Sequence, residues 1–306
     1  MGRFYILFFS LSLSLYAQMK DIDIFPSSFK ASDVPGLKIL DAKEVFFHNM
    51  NGIKFTGISA LAYDKKRGLF ALSDKGNLFR LDLKIHGSEI KSLSLQEAMP
   101  LRTKKGKKLK KEKRDSEGLS LTKKGLIVSF ERSPKVSLYD FKGRKIKNYV
   151  LNKPLQDINN YQKKNKALEG LVKHPDFGII TAPETPLRHE KNNIHTLYSL
   201  DKKWKFKASG KITSIELMPD KDVLVLERGF HLLKGHKITL TKVNIMNCDS
   251  GLCPSQTLAS LKSTQGWELD NFEGLTHIKG NIYLMISDDN GSFFQKCLLV
   301  LFEVKG

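Results

Sequence analysis

Residues 272–289 read FEGLTHIKGNIYLMISDD, an acid followed by Gly-Leu, a turn, and an apolar strand that ends in further acids. The phrase recurs upstream as LEGLVKHPDFGIITAPE from Leu168, SEGLSLTKKGLIVSFER from Ser116, TSIELMPDKDVLVLER from Thr213 and TGISALAYDKKRGLFALSD from Thr56. Each copy holds two short apolar runs separated by Lys, Gly, Asp or Pro, the pattern of two strands joined by a tight turn. The first and fourth copies look degenerate, since Gly57 has no acid before it and Ile215-Glu216-Leu217 lacks the Gly.

A third strand follows each copy, as NLFRLDLKI, KVSLYDF, IHTLYSL, HKITLTKVNIM and CLLVLFEV, and IKSLSLQEA, KIKNYVL, WKFKASG and SQTLASL supply a fourth. Four strands repeated at roughly 45–60 residues predict the blades of an all-β propeller, whose radial repetition protects short sheet edges. The last copy runs out after three strands, and the unassigned strand LKILDAKEVFF, Leu37 to Phe47, is positioned to complete it and close the ring. The count is five blades; a sixth would have to hide in the Lys-rich stretch or around CDSGLC.

At 306 residues without a Pro/Ser-rich linker the chain reads as one propeller domain over 37–306, preceded by an extension over 18–36. Residues 1–17 carry Arg3 before an apolar run from Phe4 to Tyr16, the pattern of a secretory signal peptide cut after Ala17. That run is shorter than the about 20 apolar residues a spanning helix needs, so no membrane span is expected after cleavage. The expectation is a monomer exported to the periplasm or the extracellular space. Cys248 and Cys253 enclose a loop short enough for a local disulfide in an oxidising compartment, and Cys297 in CLLVLFEV reads as a buried thiol.

Lys and Arg number 51 against 32 Asp and Glu, giving +19, or +18 once Arg3 leaves with the leader. Between Arg102 and Arg114 nine basic residues and one Glu supply +8 of this. The stretch reads either as a solvated, mobile loop or as an arm that gathers polyanions. It lacks interleaved aromatics for base stacking, so specific nucleic-acid binding is not expected. No GxSxG, Walker, GxGxxG or HExxH pattern occurs, which removes the serine-hydrolase, nucleotide and zincin classes.

An acid at the start of a blade's innermost strand faces the central channel, so Glu117, Glu169 and Glu273 should converge from separate blades. Like carboxylates packed together call for a cation or a proton. Ca²⁺, which takes about six to eight oxygens in flexible geometry, suits such a set, with Asp115, Asp288, Asp289 and Asn290 as further donors. The alternative is that each Glu staples the neighbouring blade's backbone. Glu131-Arg132 and Glu227-Arg228 both end apolar strands, where the two arginines either clamp a phosphate or pair with acids between blades.

DSEGLSL, SFERS, ALEGL, VLERGF, DNFEGL and SDDNGSFFQKCLLVLFEV, in that order from Asp115 onward, resemble the phytase-like (esterase-like) family of exported bacterial propellers. The resemblance implies phosphoesterase or esterase-like activity with calcium dependence by analogy with alkaline phytases. On that basis Asp115, Glu117, Glu169, Glu273 and Asp288 would hold Ca²⁺, Glu131, Glu227 and Asp289 would be the catalytic acids, and Arg132 and Arg228 would bind the phosphate of a small anionic ester. Two other outcomes are a calcium-dependent lactonase or carboxylester hydrolase, and a non-catalytic envelope propeller that binds an anionic partner.

Overall fold

The computed structural model describes residues 15–28, 34–292 and 295–305, so the leader expected over 1–17 lies largely outside the described residues. Two short strands, Leu15–Tyr16 (β1) and Gln18–Asp21 (β2), precede Leu37–Phe46 (β3). Blade 1 comprises Ile58–Asp64 (β4), Gly68–Ser73 (β5), Asn77–His86 (β6) and Glu89–Pro100 (β7). Blade 2 comprises Ser116–Thr122 (β8), Gly125–Phe130 (β9), Lys135–Tyr139 (β10) and Lys145–Tyr149 (β11). Blade 3 comprises Leu168–His174 (β12), Gly178–Pro183 (β13), Ile194–Tyr198 (β14) and Lys203–Lys207 (β15). Blade 4 comprises Lys211–Leu217 (β16), Val223–His231 (β17), Gly235–Val243 (β18) and Ser255–Lys262 (β19). Asn271–Lys279 (β20), Ile282–Asp288 (β21) and Leu298–Val304 (β22) open blade 5.

Every blade is an antiparallel meander, and the innermost strands β4, β8, β12, β16 and β20 touch in ring order and close on one another. The protein is a five-bladed β-propeller, and neither insertion hides a sixth blade. Blade 5 is completed as the sequence implies: β3 pairs with β22, from Leu298 opposite Glu44 to Val304 opposite Leu37, and β2 adds to its outer edge. β1 pairs with β7 through Leu15–Leu95 and Tyr16–Ser94. Inner strands such as Gly125–Phe130 are buried on both faces, and the apolar faces of neighbouring blades form shared cores. Phe79, Leu95, Leu284 and Leu299 pack together across blades 1 and 5, and Leu226, Leu240, Phe272 and Met285 across blades 4 and 5.

The stretch from Arg102 to Arg114 is ordered, contrary to its reading as a mobile loop. Arg102 bridges to Lys108 and to Arg144 of blade 2, Lys111–Lys113 form a turn of 3₁₀ helix, and Leu109 packs against the core between blades 1 and 2. A single leucine among lysines is the anchor; the lysines themselves, such as Lys104, Lys105, Lys107 and Lys108, stay exposed. Cys248 and Cys253 form a disulfide in the connection from β18 to β19, whose Cys253 amide donates to Lys205 O on the outer strand of blade 3. Cys297 is buried, and burial pushes its thiol well above the ordinary value. Among the described residues no helix is long and apolar enough to cross a membrane.

Candidate active site in the central channel

Each innermost strand carries a bulge one or two residues in from its start. The ladder skips between Ile58 and Ala60, Ser116 and Leu119, Leu168 and Gly170, Ile212 and Ser214, and Phe272 and Gly274. A bulge leaves the extra residue out of the ladder and re-aims its side chain. The residues thus set apart are Ser59, Glu117, Glu169, Thr213 and Glu273. The register therefore corrects the alignment of the degenerate copies: Ser59-Ala60 and Thr213-Ser214, three residues away from the positions expected from Gly57 and Glu216, stand where the other blades have Glu-Gly.

Two of the five positions staple the ring. Ser59 Oγ donates to Ser116 O at 2.7 Å on the next blade, and Thr213 Oγ1 donates to Phe272 O at 3.1 Å. Among the described residues Glu117, Glu169 and Glu273 form no such staples. The small residue after each acid is set by packing: a Cβ on Gly118 would lie 2.5 Å from Glu169 O, and one on Gly274 would lie 2.6 Å from Ile286 Cγ2. Neither glycine has a positive φ, so the close approach of the neighbouring chain, rather than backbone freedom, excludes a side chain there.

A second ring comes from the ends of the adjacent strands. Ile58, Ser116, Leu168, Ile212 and Phe272 pair with Ser73, Phe130, Pro183, Glu227 and Ser287. The next residues are Asp74, Glu131, Glu184, Arg228 and Asp288, four acids and one arginine at equivalent places. Arg228, not Glu227, occupies the position of the second acid on blade 4. Arg132 and Arg228 are consequently one residue out of step, which removes the correspondence between them expected from SFER and VLER.

Oxygens of Asp115, Glu117 and Glu131 lie within 4.8 Å of one another, as do oxygens of Glu131, Glu169 and Glu184, so two carboxylate triads share Glu131. The cost of gathering these charges appears in their proton affinities. Burial, then the charges of Glu169, Glu273, Glu131 and Asp115, raise Glu117 well above the usual carboxylate range. Burial followed by Glu131, Glu184 and Glu273 does the same to Glu169. Burial, Asp115 and Glu184 push Glu131 to about 8 against the opposing pull of Arg132.

The rest of the ring is partly compensated. Arg228 Nη1 lies 3.2 Å from Glu273 Oε1, which also accepts from Asn271 Nδ2 at 2.8 Å. Glu273 is nonetheless raised to about 8, by burial first and Asp288 second. Asp288 accepts from the Asn290 amide at 2.7 Å, and burial brings it to about 7. Glu184 lies 2.9 Å from Lys211 Nζ and 3.4 Å from Lys166 Nζ. Arg132 Nε donates to Asp115 Oδ2 at 2.5 Å. Among the described residues no Lys or Arg forms an ion pair with Glu117, Glu131 or Glu169.

Two expected catalytic acids are held elsewhere. Glu227 is buried and accepts from the Ser209 and Gly210 amides at 2.6 and 2.9 Å and from Thr241 Oγ1 at 2.6 Å. Asp289 Oδ1 accepts from Thr56 Oγ1 and from the Gly57 and Gly291 amides, tying the last blade to the first. Reasoning from sequence had left out Asp74 and Glu184, although both stand at the end of their copies of the repeat, the place that singled out Glu131.

The donor set fits a hard cation: it is all oxygen and contributed by separate strands, and among the described residues only Asp115 and Glu184 of the two triads have ion-paired Arg or Lys partners. The buried Asp74 Oδ1 accepts no hydrogen bond among the described residues, and Glu184 Oε2 has only its 3.4 Å ion-pair contact with Lys166 Nζ. Beside the triads, Lys113, Arg132, Ser133, Lys164 and Asn165 line an open cavity of about 630 Å³, and Arg132 joins it to Asp115. At the other end of the inner strands a cavity of about 440 Å³ is lined by Leu119, Val172, Glu216, Met218 and Thr276 among others. There Glu216 accepts from the Leu217 and His277 amides and is raised by burial to about 7.

The family described as phytase-like, with esterase-like activity of phytase, matches residues 53–291. No curated protein matches the sequence. Among solved structures the chain is similar to the Cps50 (Swd1) β-propeller domain of Myceliophteria thermophila, at 8% identity over 95% of this chain and 100% of that one, with a TM-score of 0.44. It is also similar to glutaminyl cyclase of Myxococcus xanthus, at 9% identity over 88% and 97%, with a TM-score of 0.46. Likeness at this level bears on neither activity nor ligand.

Proposed function

This chain belongs to the phytase-like family, and from that premise we propose that it is an exported, calcium-dependent hydrolase of phosphate esters. The observation that carries this reading is the pair of carboxylate triads sharing Glu131, in which Glu117, Glu131 and Glu169 have no ion-paired Lys or Arg among the described residues, beside a basic cavity. Asp115, Glu117, Glu131, Glu169 and Glu184 would hold Ca²⁺, which when bound neutralises phosphate oxygens and lowers the proton affinity of water. This places Glu131 among the ligands rather than the catalytic acids.

Arg132, with Lys113 and Lys164 across the same cavity, would bind the phosphate and orient it toward the channel. Glu273 would take the proton from the attacking water, because Arg228 and Asn271 hold its Oε1 and leave Oε2 to accept. In-line attack forms the new oxygen–phosphorus bond as the ester oxygen departs, and the alcohol leaves with a proton from solvent. Arg228 acts here by positioning Glu273, while Glu227 and Asp289 keep structural roles and Asp288 supports the ring. The disulfide suits an oxidising compartment and supports export.

The test is a panel of phosphomonoesters, lactones and carboxylic esters assayed with calcium and with chelator. Calcium-dependent release of phosphate is expected. Turnover of lactones or carboxylic esters alone would assign the site to the alternative hydrolase class, and no turnover with retained calcium binding would make the channel a binding module.

A further inference from the structure

The hairpin between β17 and β18 ends in a largely exposed apolar tip, in which Phe230 lies against the His236 ring at 4.9 Å between centroids. Phe230, Leu232 and Leu233 are 64%, 86% and 86% exposed, while the same strands bury Leu224, Leu226, Ile238 and Leu240 completely or nearly so. The tip is not loose chain. His231 pairs with Gly235, the Lys234 amide donates to His231 O at 3.0 Å, and the Leu233 amide donates to His231 Nδ1. Gly235 has φ +60°, the left-handed residue that closes a three-residue hairpin loop. Such a loop ordinarily carries polar residues at its outer positions, yet this one presents two leucines to solvent.

The hairpin itself carries charge of one sign, although the Asp270 carboxylate is near enough to act on His236. No acid occurs from Gly229 to Val243, and Lys234, Lys237 and Lys262 flank the leucines, with Lys237 opposite Lys262 in the sheet. The hairpin extends past Arg228, so it rises from the end of the blade where the channel acids converge. The basic cavity of Lys113, Arg132 and Lys164 opens at that same end, beside Asp115. An apolar wedge bracketed by lysines matches an anionic lipid interface, where leucines enter the acyl boundary and lysines meet headgroups. A soluble polyanion would use the lysines but leave the leucines in water.

We propose that the tip formed by Phe230, Leu232 and Leu233 docks the protein on an anionic bilayer surface and turns the channel mouth toward it. This inference stands on the tip and its charges and is independent of the chemistry assigned to the channel. The protein without its leader is sedimented with vesicles of phosphatidylcholine alone and with vesicles that also contain phosphatidylglycerol. Binding is expected only to the second, and Leu232→Ser with Leu233→Ser should weaken it about tenfold or more without changing the melting temperature. Trp substituted at Phe230 should shift its emission to shorter wavelength on the anionic vesicles, which adsorption through lysines alone does not produce. No binding to either vesicle, equal binding by the serine variant, or loss of a wild-type dimer in that variant without lipid would each overturn the proposal, the last by making the tip a contact between copies of this chain.

Discussion

Blades 2 and 3 and blade 4 are built on the same phrase and differ in two side chains. Where blades 2 and 3 set Glu117 with Glu131 and Glu169 with Glu184, blade 4 sets Thr213 and Arg228 at the equivalent positions. Thr213 bonds the next blade's backbone, and Arg228 neutralises Glu273. On one side of the channel the protein pairs its inner-strand glutamate with an arginine, and on the other Glu117, Glu131 and Glu169 have no ion-paired Lys or Arg among the described residues. The bulge provides the geometry at every blade, so the chemistry is set by which side chain occupies it.

The strongest way to break this contrast is Glu131→Gln, because both triads use that residue. It should remove the calcium response and lower phosphomonoester turnover by about a hundredfold or more, read as kcat and as calcium-dependent melting. Glu227→Gln should do the reverse. It keeps the calcium response but loses about 1–3 kcal/mol of stability, because the Ser209 and Gly210 amides lose a buried, charged acceptor. A normal Glu131→Gln enzyme beside an inactive Glu227→Gln enzyme would transfer the site to blade 4.

Arg228→Ala sharpens the comparison from the other side. With the internal cation gone, Glu273 keeps Asn271 but loses its ion-pair partner, so the calcium-free protein should be less stable at neutral pH while calcium binds about tenfold more tightly. Hydrolysis should still fall, because Glu273 is no longer oriented. Calorimetry and steady-state kinetics on one preparation separate the two effects.

The number of blades, the closing role of β3 and the convergence of Glu117 and Glu169 were legible because strand period and the Glu-Gly-Leu phrase both repeat in the chain. The substitutions Ser59 and Thr213 for Glu were not, since matching letters favoured Gly57 and Glu216 and only the bulge register shows which residue leaves the ladder. The step between Arg132 and Arg228 escaped for the same reason. ER ends both strands in sequence, but the strands pair one residue apart. Leu109 likewise gave no signal that it would anchor a run of lysines to the core.

Gly118→Ala tests the close packing that sets the acids in place. Its Cβ would meet Glu169 O, so a loss of about 1–3 kcal/mol is expected, with weaker calcium binding as blades 2 and 3 move apart. The smallest effect belongs to the exposed lysines. Replacing Lys104, Lys105, Lys107 and Lys108 by Gln, with Leu109 retained, should lower kcat/KM for a polyanionic ester about two- to threefold at low salt and not at high salt.

The central claim is that Glu117, Glu131 and Glu169 are assembled for a cation, and melting temperature against pH, with calcium and with chelator, tests it most directly. These carboxyls bind protons more tightly folded than unfolded, so their contribution to the calcium-free protein is complete below the unfolded carboxylate range. It is lost as pH rises, through about 8 for Glu131. Calcium competes with those protons, so its stabilisation should be slight near pH 5 and grow through pH 7–8 as the sites ionise. The same curve with calcium and with chelator at pH 8 would contradict the claim and leave the channel acids as a protonated, structural ring.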